Sequence, residues 1–215
     1  LGHGNGMCCA EKYIFFGCWV KDPAKSGREQ QNYLIRVKYG KLTDNLTNGI
    51  NISVPEATGA IAFYKKSHLI IKVKPRNGYL TFMMGKILIN EKGTAGKFDT
   101  LWTFYVKNTT GFSRGQDIYY DAQTDCLFIP QCNDDNNINK IMVVNLSGES
   151  ETYKGNKLYT PQDIITVNKK KEYIKYEIES LVIAPKRHIV MVANIVPRDT
   201  QTADDAVERI SNLKF

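Results

Sequence analysis

Residues 115–148, which read GQDIYYDAQTDCLFIPQCNDDNNINKIMVVNLSG, decide the fold. A short run with two tyrosines ends at Asp121, and the polar turn DAQTD leads directly into the apolar run CLFIP. The polar segment NDDNNINK (133–140) then precedes a third apolar run, IMVVNL. Short runs rich in β-branched and aromatic residues, divided by turn residues, predict consecutive strands joined by a tight turn and a polar hairpin.

The same plan occurs four times along the chain. When the first apolar residue of each copy is aligned, Met7, Ile61, Ile118 and Leu181 coincide, with spacings of 54, 57 and 63 residues. The turns then fall in register at AEK, KKSH, DAQTD and APKRH. A fourth strand is predicted at INISV, LWTFYV and IITV, and the largest spacing leaves room for an extra hairpin. Strands grouped in fours, with periods of roughly 40 to 60 residues, are typical of β-propeller blades.

We therefore predict an all-β chain, a β-propeller of four to five blade-like units that is complete here or part of a longer protein. The single domain spans 1–215. Its repeats are approximately 2–56, 57–110, 111–175 and 176–215. A β-sandwich and a jelly roll are the competing folds, because both also use many short strands with turn signals. The segment TADDAVERI is expected to be a helix-prone loop, and NKKKEYIKYE (168–177) a hairpin turn.

Repeat 3 resembles a propeller blade of the NHL or YncE-like type. In such blades an apolar stretch ends in Tyr-Asp and the last strand ends in Asp/Asn-Leu-x-Gly, as YYD and NLSG do here. The resemblance covers most of the chain but departs in repeat 2, where YLTFMMG (79–85) is rich in methionine. The HGN and EIES segments are similar to blade openings in secreted Gram-positive proteins of the helveticin J type. These resemblances imply a propeller and, for the second family, a bacteriocin-like module.

The charge pattern allows anionic partners without requiring one. Lys and Arg number 29 against 22 Asp and Glu, and a net charge of +7 attracts nucleic acid, teichoic acid or lipid headgroups. A lysine-rich surface explains the same charge, and no nucleic acid partner is expected. No apolar run is long enough to span a bilayer. The Lys/Ile/Asn/Tyr-rich composition and the missing initial Met lead us to expect a secreted or cell-surface bacterial protein, a processed piece of something longer.

The cysteines and histidines predict no metal site, and no cofactor is expected. None of the five cysteines forms a CxxC pair, and the three histidines are far apart in the sequence. Cys126 and Cys132 are roughly 20 Å apart on one predicted strand, so they cannot bridge each other, and buried free thiols are expected. Four aromatic residues in predicted strands offer rings on which sugars could stack, but burial in the core is the favoured expectation for them: Trp19, Trp102, Tyr119 and Tyr120.

Polar residues precede the aligned apolar position in three of the four repeats. In a propeller the starts of the innermost strands gather near one mouth of the central channel, where a rigid scaffold positions the binding loops. Residues two apart share a face of a strand, so residues two and four places before the aligned position are expected to converge. They are His3, Asn5, Arg114, Gln116, Glu177 and Glu179. The glycines around His3 are expected to let the chain turn at a crowded axis.

One cation, two carboxylates, two amides and an imidazole make a pocket suited to a sugar or another polar ligand. We therefore predict a binding module for a glycan or protein at the channel face. Its ligand-binding residues are His3, Asn5, Arg114, Gln116 and Glu179. A water-filled channel whose polar groups bond to each other is the structural alternative.

An enzyme is the second functional class, although the sequence favours a protein without catalytic activity. A glycan-acting hydrolase would use Glu179 or Glu177 as its acid/base group. These two residues are neighbours on one strand and are not opposed across a sugar. A Cys9 nucleophile with His3 as its base would need hydrogen-bond contact, yet the two lie about 20 Å apart at full extension.

Overall fold

The protein is described by a computed structural model that covers residues 3–10, 12–21, 30–38, 49–58, 60–65, 67–112, 114–133, 138–184 and 188–210. Every regular element in these ranges is a β-strand. The same ranges contain no helix that is long and apolar enough to cross a membrane. The chain divides into two compact units, unit 1 (Leu1–Tyr105 and Thr152–Leu158) and unit 2 (Val106–Glu151 and Tyr159–Phe215).

Unit 1 is built on one large sheet made of two meanders, in which strands that follow each other along the chain are hydrogen-bonded neighbours. The first meander consists of β1 (His3–Ala10), β2 (Tyr13–Lys21), β3 (Gln30–Lys38) and β4 (Ile50–Ser53). The second consists of β5 (Ala60–Tyr64), β6 (His68–Arg76), β7 (Tyr79–Ile89) and β8 (Ala95–Lys107).

A parallel ladder between β4 and β8 joins the two meanders. Residues 51–53 pair with residues 95–97, and the sheet order is β1-β2-β3-β4-β8-β7-β6-β5. Since β1 also contacts β5, the sheet forms a nearly closed barrel. Gly96 permits the close approach of β4, because a Cβ atom there would lie 3.2 Å from Cγ1 of Ile52 and 2.8 Å from Cδ1 of Ile89.

The apolar side of this sheet forms the core of unit 1. Leu34 and Ile52 from the first meander pack with Ile61, Leu69 and Ile71 from the second, and all five are buried. Each large apolar side chain removed from water contributes about 1.5–3 kcal/mol. Strand alternation therefore gives both meanders one shared apolar interior.

Unit 2 contains two antiparallel sheets. The four-stranded sheet has the order β14-β11-β10-β9, and the three-stranded sheet has the order β15-β16-β17. Their bounds are β9 (Tyr119–Asp121), β10 (Cys126–Cys132), β11 (Ile138–Asn145), β14 (Asp163–Asn168), β15 (Tyr173–Ala184), β16 (His188–Pro197) and β17 (Asp204–Ile210).

The remaining strands are β12 (Glu151–Tyr153) and β13 (Asn156–Tyr159). They form a hairpin that joins the large sheet, because β13 pairs with β8.

The two sheets of unit 2 share an apolar core, and Asn139 makes polar contacts inside it. Phe128 and Val143 from the first sheet pack with residues such as Met191 from the second. Asn139, with 0% of its surface exposed, donates from Nδ2 to the carbonyl of Tyr176 at 2.9 Å and accepts at Oδ1 from the amide of Ile178 at 3.0 Å. We call this pair of bonds the Asn139 clasp. It satisfies two backbone groups of β15 that burial would otherwise leave unpaired.

The predicted all-β class is confirmed, and so is its construction from blade-like meanders. Met7, Ile61 and Leu181 lie in β1, β5 and β15, the first strand of each group, and Ile118 directly precedes β9. The predicted fourth strands are β4, β8 and β14, and the extra hairpin is β12–β13. The number of blades, the single domain and the four repeat boundaries stay predictions.

Three local predictions are wrong. The supposed helix-prone loop contains strand β17, because pairing with β16 and packing of Ala206 on the core outweigh local propensity. The segment 168–177 links β14 to β15, which belong to different sheets, so it is no hairpin. The apolar run HIVMVANIV (188–196), which forms most of β16, predicts a strand buried on both faces. It alternates instead between buried and half-buried residues, since only one of its faces meets the core.

A β-bulge interrupts β1 at the glycines that drew attention in the sequence. The pairing with β2 shifts between Gly4 and Met7, and Gly6 has a φ of 100°. That backbone conformation is readily adopted by glycine alone. In an unbroken strand, alternation would place Cys9 and His3 on the same face of β1. Because a bulge inserts one extra residue, this alternation does not run unbroken through β1.

Candidate functional site

A buried carboxylate in unit 2, that of Glu177 on β15, is held by two neighbours. Its Oε2 lies 3.1 Å from Nζ of Lys175, and its Oε1 accepts the thiol hydrogen of Cys132 at 3.6 Å. Lys175 also donates to Oδ1 of Asn194 at 2.9 Å. Glu177 is only 8% exposed, so these contacts offset the cost of taking its charge out of water.

The same contacts change the acidity of Cys132. Burial, together with the charge and the hydrogen bond of Glu177, raises the pKa of this thiol from 9.0 to about 12. A thiol with such a pKa is almost entirely protonated at neutral pH. Cys132 therefore behaves as a hydrogen-bond donor inside unit 2.

Two of the predicted site residues meet at Cys132. The backbone amide of Cys132 donates to the carbonyl of Arg114 at 3.0 Å, and the Arg114 side chain is exposed beside it. The Arg114 charge also acts on the Cys132 thiol and lowers its pKa, in opposition to the effect of Glu177. The structure thus brings Arg114 and Glu177 to one cysteine, while Gln116 follows on the chain as a half-buried residue before β9.

Glu179 lies at a bulge, where the pairing of β15 with β16 shifts between Ile178 and Ser180. The rule that residues two apart share a face does not carry across this bulge from Glu177 to Glu179. His3 and Asn5 belong to β1 in unit 1, and their side chains lie outside the described residues. The convergence of all six predicted residues stays a prediction.

We call Glu177, Lys175 and Cys132 the Glu177 cluster. Neither Lys175 nor Cys132 was linked to Glu177 from the sequence. Lys175 precedes Glu177 by two residues, and opposite charges two apart on a strand were the available signal. Cys132 was identified only as a buried thiol. Its contact with Glu177 joins residues 45 positions apart and depends on how two sheets face each other.

A line of three aromatic rings crosses the second meander of unit 1, with Trp102 exposed and Tyr64 and His68 half-buried. The ring centroids of Tyr64 and His68 are 6.5 Å apart, and those of His68 and Trp102 are 5.7 Å apart. Trp102 is 42% exposed, which corrects the expectation that it packs in the core. Of the other three aromatic residues in that expectation, Tyr120 is buried, Tyr119 is half-buried and the Trp19 side chain lies outside the described residues. We call Tyr64, His68 and Trp102 the aromatic row.

Two lysines accompany the aromatic row. Lys65 Nζ lies 4.8 Å from the centroid of the Tyr64 ring, within cation–π range. Leu69 pairs with Gly85, so Lys86 follows on β7 across from His68. Partners across a sheet share a face, and the Lys86 side chain is exposed there.

His68 is held in a defined state within the row. Burial lowers its pKa below the usual 6.5, and the charge of Lys86 lowers it further. Its Nδ1 lies 2.6 Å from the Ser67 hydroxyl. At neutral pH the imidazole is therefore uncharged, and when Ser67 donates to Nδ1 the other nitrogen carries the ring hydrogen.

The described ranges contain no group of three His, Cys, Asp or Glu residues placed to hold a metal ion. Among the described cysteines, Cys126 and Cys132 are buried, Cys8 is half-buried and Cys9 is exposed. Asn145 and Asn108, which belong to two of the N-x-S/T sequons in the chain, use their side-chain oxygens to accept local hydrogen bonds.

Comparison with known proteins gives likenesses of fold only. No protein-family model matches the sequence, and no curated protein matches it either. A protein from Lactobacillus plantarum is 13% identical with a TM-score of 0.44, and the match covers 92% of this chain and 52% of that one. The intramolecular trans-sialidase of Ruminococcus gnavus is 11% identical with a TM-score of 0.47, and the match covers 96% of this chain and 42% of that one. Hsv2 of Kluyveromyces lactis is 8% identical with a TM-score of 0.41, and the match covers 95% of this chain and 61% of that one.

The chain therefore spans between 42% and 61% of the length of these three structures. With every TM-score below 0.5, the likenesses carry no inference about activity or ligand. The functional conclusions rest on the side chains of this protein.

Proposed function

We propose that the protein is a propeller-type binding module, secreted or displayed on a bacterial surface, that recognises a glycan through the aromatic row of unit 1. The observation that carries this proposal is the exposure of Trp102 beside His68 and Tyr64 on one sheet face. Burying a large apolar side chain is worth about 1.5–3 kcal/mol, so an indole left in water is available to contribute that free energy to a ligand.

A glycan fits the row better than a protein partner does. Stable protein interfaces bury about 800 Å² on each partner and have an apolar centre. The aromatic row is one ring wide, and the cation of Lys86 follows His68 on the next strand. The exposed Trp102 ring offers one flat face on which a sugar ring can stack, and the polar edges of tyrosine and histidine beside it can bond to hydroxyl groups.

The contacts of Glu177 favour binding over hydrolysis. A hydrolase needs two carboxyl groups that flank the scissile bond. Here one carboxylate oxygen contacts a lysine and the other accepts from a thiol within unit 2. An acid/base role for Glu179 or Glu177, membership of the NHL-like family and a bacteriocin-like role have less support.

The proposal retains the predicted polar site as a second contact area. Arg114 is exposed next to the Glu177 cluster, and Gln116 and Glu179 are half-buried in the same unit. The proposal includes His3 and Asn5 in this second contact area. Replacement of Arg114 by Ala should weaken ligand binding if this area takes part.

The direct experiment is a glycan array probed with wild-type protein and the Trp102→Ala variant. Stacking of a flat ring on an aromatic side chain is worth about 1–3 kcal/mol, so we expect Trp102→Ala to lose about tenfold or more in affinity. The matched control is Leu101→Ala, because Leu101 is the neighbouring residue on β8 and is 45% exposed. It should bind like the wild type.

An array without wild-type binding would overturn the proposal. Equal binding by wild type and Trp102→Ala would show that the aromatic row is not the site. A loss in Leu101→Ala as large as that in Trp102→Ala would indicate general damage to β8. Binding to a protein in place of any glycan would count against the proposed ligand class.

A further inference from the structure

We infer that the ligand of the aromatic row is an acidic polysaccharide, of which one sugar face stacks on Trp102 and whose carboxylates pair with Lys65 and Lys86. This inference rests on the proposed function and narrows it to one class of glycan. It is carried by the position of the two lysines relative to the three rings.

Lys86 is placed on the row by the strand register. Tyr64 pairs with His68, and the pairing of Leu69 with Gly85 puts Lys86 across from His68 on β7. Neighbouring strands lie about 4.8 Å apart, so a ligand that stacks on the rings passes within reach of the Lys86 ammonium group. The order across β5, β6, β7 and β8 is ring, ring, cation, ring.

Lys65 supplies a second cation beside Tyr64, at the β5 end of the row. It lies in the turn between β5 and β6 with a φ of 46°, a conformation that the turn imposes on it. Its Nζ is 4.8 Å from the Tyr64 ring centroid, so the charge is held close to the row. An ammonium group on a ring can still donate hydrogen bonds to a carboxylate on its outer side.

His68 adds a neutral donor between the two cations. Its ring is uncharged at neutral pH and contacts Ser67 through Nδ1. The remaining ring nitrogen can donate to a hydroxyl group. The row therefore offers two groups suited to carboxylates and one suited to a hydroxyl, in addition to the exposed ring of Trp102.

The number of cations distinguishes an acidic polysaccharide from a nucleic acid. A nucleic acid carries a phosphate on every unit, and its binding is dominated by many lysine and arginine contacts. Two lysines among three rings match a chain with carboxylates on some of its units. Further along β7 and β8, the rings of Phe82 and Phe104 stack with their centroids 5.1 Å apart. This buried contact holds together the two strands that carry Lys86 and Trp102.

The experiment is an array in which each acidic glycan is printed beside its carboxyl-reduced form, so that backbone and linkage are identical within a pair. Wild-type protein should bind the acidic member about tenfold more tightly, and added salt should shrink the difference. The double variant Lys65→Gln, Lys86→Gln should bind both members equally. Trp102→Ala should weaken binding to both.

The control is Lys154→Gln. Lys154 also lies over a tyrosine ring of unit 1, at 5.5 Å from the centroid of Tyr153, but it is not on the aromatic row. This variant should keep the full preference for acidic glycans, which separates a local contact from the effect of net charge.

The outcomes separate this inference from the proposed function. Equal binding to both members of each pair by wild type, with loss in Trp102→Ala, would overturn the acidic class and leave glycan binding in place. An array without binding would overturn both. Tighter binding to single-stranded oligonucleotides than to any acidic glycan would overturn the inference. A lost preference in Lys154→Gln would also overturn it.

Discussion

Unit 2 keeps polar side chains inside, whereas unit 1 keeps aromatic rings outside. The Asn139 clasp and the Glu177 cluster place amide, carboxylate and thiol groups among buried residues, and each of these groups has a partner there. The aromatic row leaves Trp102 in water on a sheet whose other face is apolar. Polar groups with internal partners stabilise one arrangement of strands, while rings without such burial remain available for a ligand.

The largest expected difference concerns cysteine reactivity. Cys132 is buried with a pKa of about 12, while Cys9 is exposed. Because the thiolate is the reactive form, Cys132 should react with a thiol reagent at pH 8 on the order of a thousandfold more slowly than Cys9. Mass spectrometry of peptides after timed labelling gives both rates.

Glu177→Gln sharpens this test. Removing the carboxylate removes a charge that raises the Cys132 pKa, so labelling of Cys132 should become faster. Labelling of Cys9 serves as the internal reference. Equal labelling of Cys132 and Cys9 in the folded wild type would contradict a buried thiol.

The next largest effect compares two aromatic residues on β8. Phe104 is 1% exposed and stacks on Phe82, whereas Trp102 is 42% exposed. Phe104→Ala should lower the free energy of unfolding by about 3–5 kcal/mol, because it removes a buried side chain and leaves a cavity. Trp102→Ala should change it by no more than about 1 kcal/mol.

Urea denaturation followed by tyrosine and tryptophan fluorescence measures both values. If Trp102→Ala were as destabilising as Phe104→Ala, Trp102 would be part of the core, and the aromatic row would lose its status as a site.

The Asn139 clasp gives the third prediction. Asn139→Ala would leave the amide of Ile178 and the carbonyl of Tyr176 buried without their partner, so we expect a loss of about 2–3 kcal/mol. Asn156→Ala is the control. Asn156 also bonds a backbone carbonyl, that of Lys154, but in an exposed turn, so its loss should stay below about 0.5 kcal/mol.

Hydrogen exchange gives a second measurement of the clasp. The Ile178 amide should be among the slowest to exchange in the wild type and should speed up in Asn139→Ala. An unchanged rate in that variant would mean that the contact does not hold the two sheets together.

Strands were predictable from the sequence where burial is continuous. CLFIPQC is buried along its whole length as β10, and such a run needs no knowledge of its neighbours. Asp204–Ile210 was not predictable in this way, because its local preference is overridden by pairing with β16. The bulges near Gly6 and Glu179 were hidden as well, since a bulge is a property of two paired strands.

The candidate site was less predictable than the fold. Arg114 and Glu177 were identified from their places in the repeat, and they do meet at Cys132. The aromatic row was missed because Trp102 lies 34 residues after His68, and only the order of strands in the sheet brings their rings together. Because aromatic residues in strands are mostly buried, core packing was favoured over sugar stacking for Trp102.

The parallel ladder between β4 and β8 has a consequence for how the chain is made. Asn51 can pair with Ile35 of β3 at once, but its other side must wait for Ala95, although β5, β6 and β7 can form hairpins as soon as they are synthesised. During that interval β4 exposes unpaired backbone groups, which is the state most prone to pairing with another chain. Misassembly during synthesis should therefore begin at β4, and slowing its closure at Gly96 would increase aggregation of newly made protein.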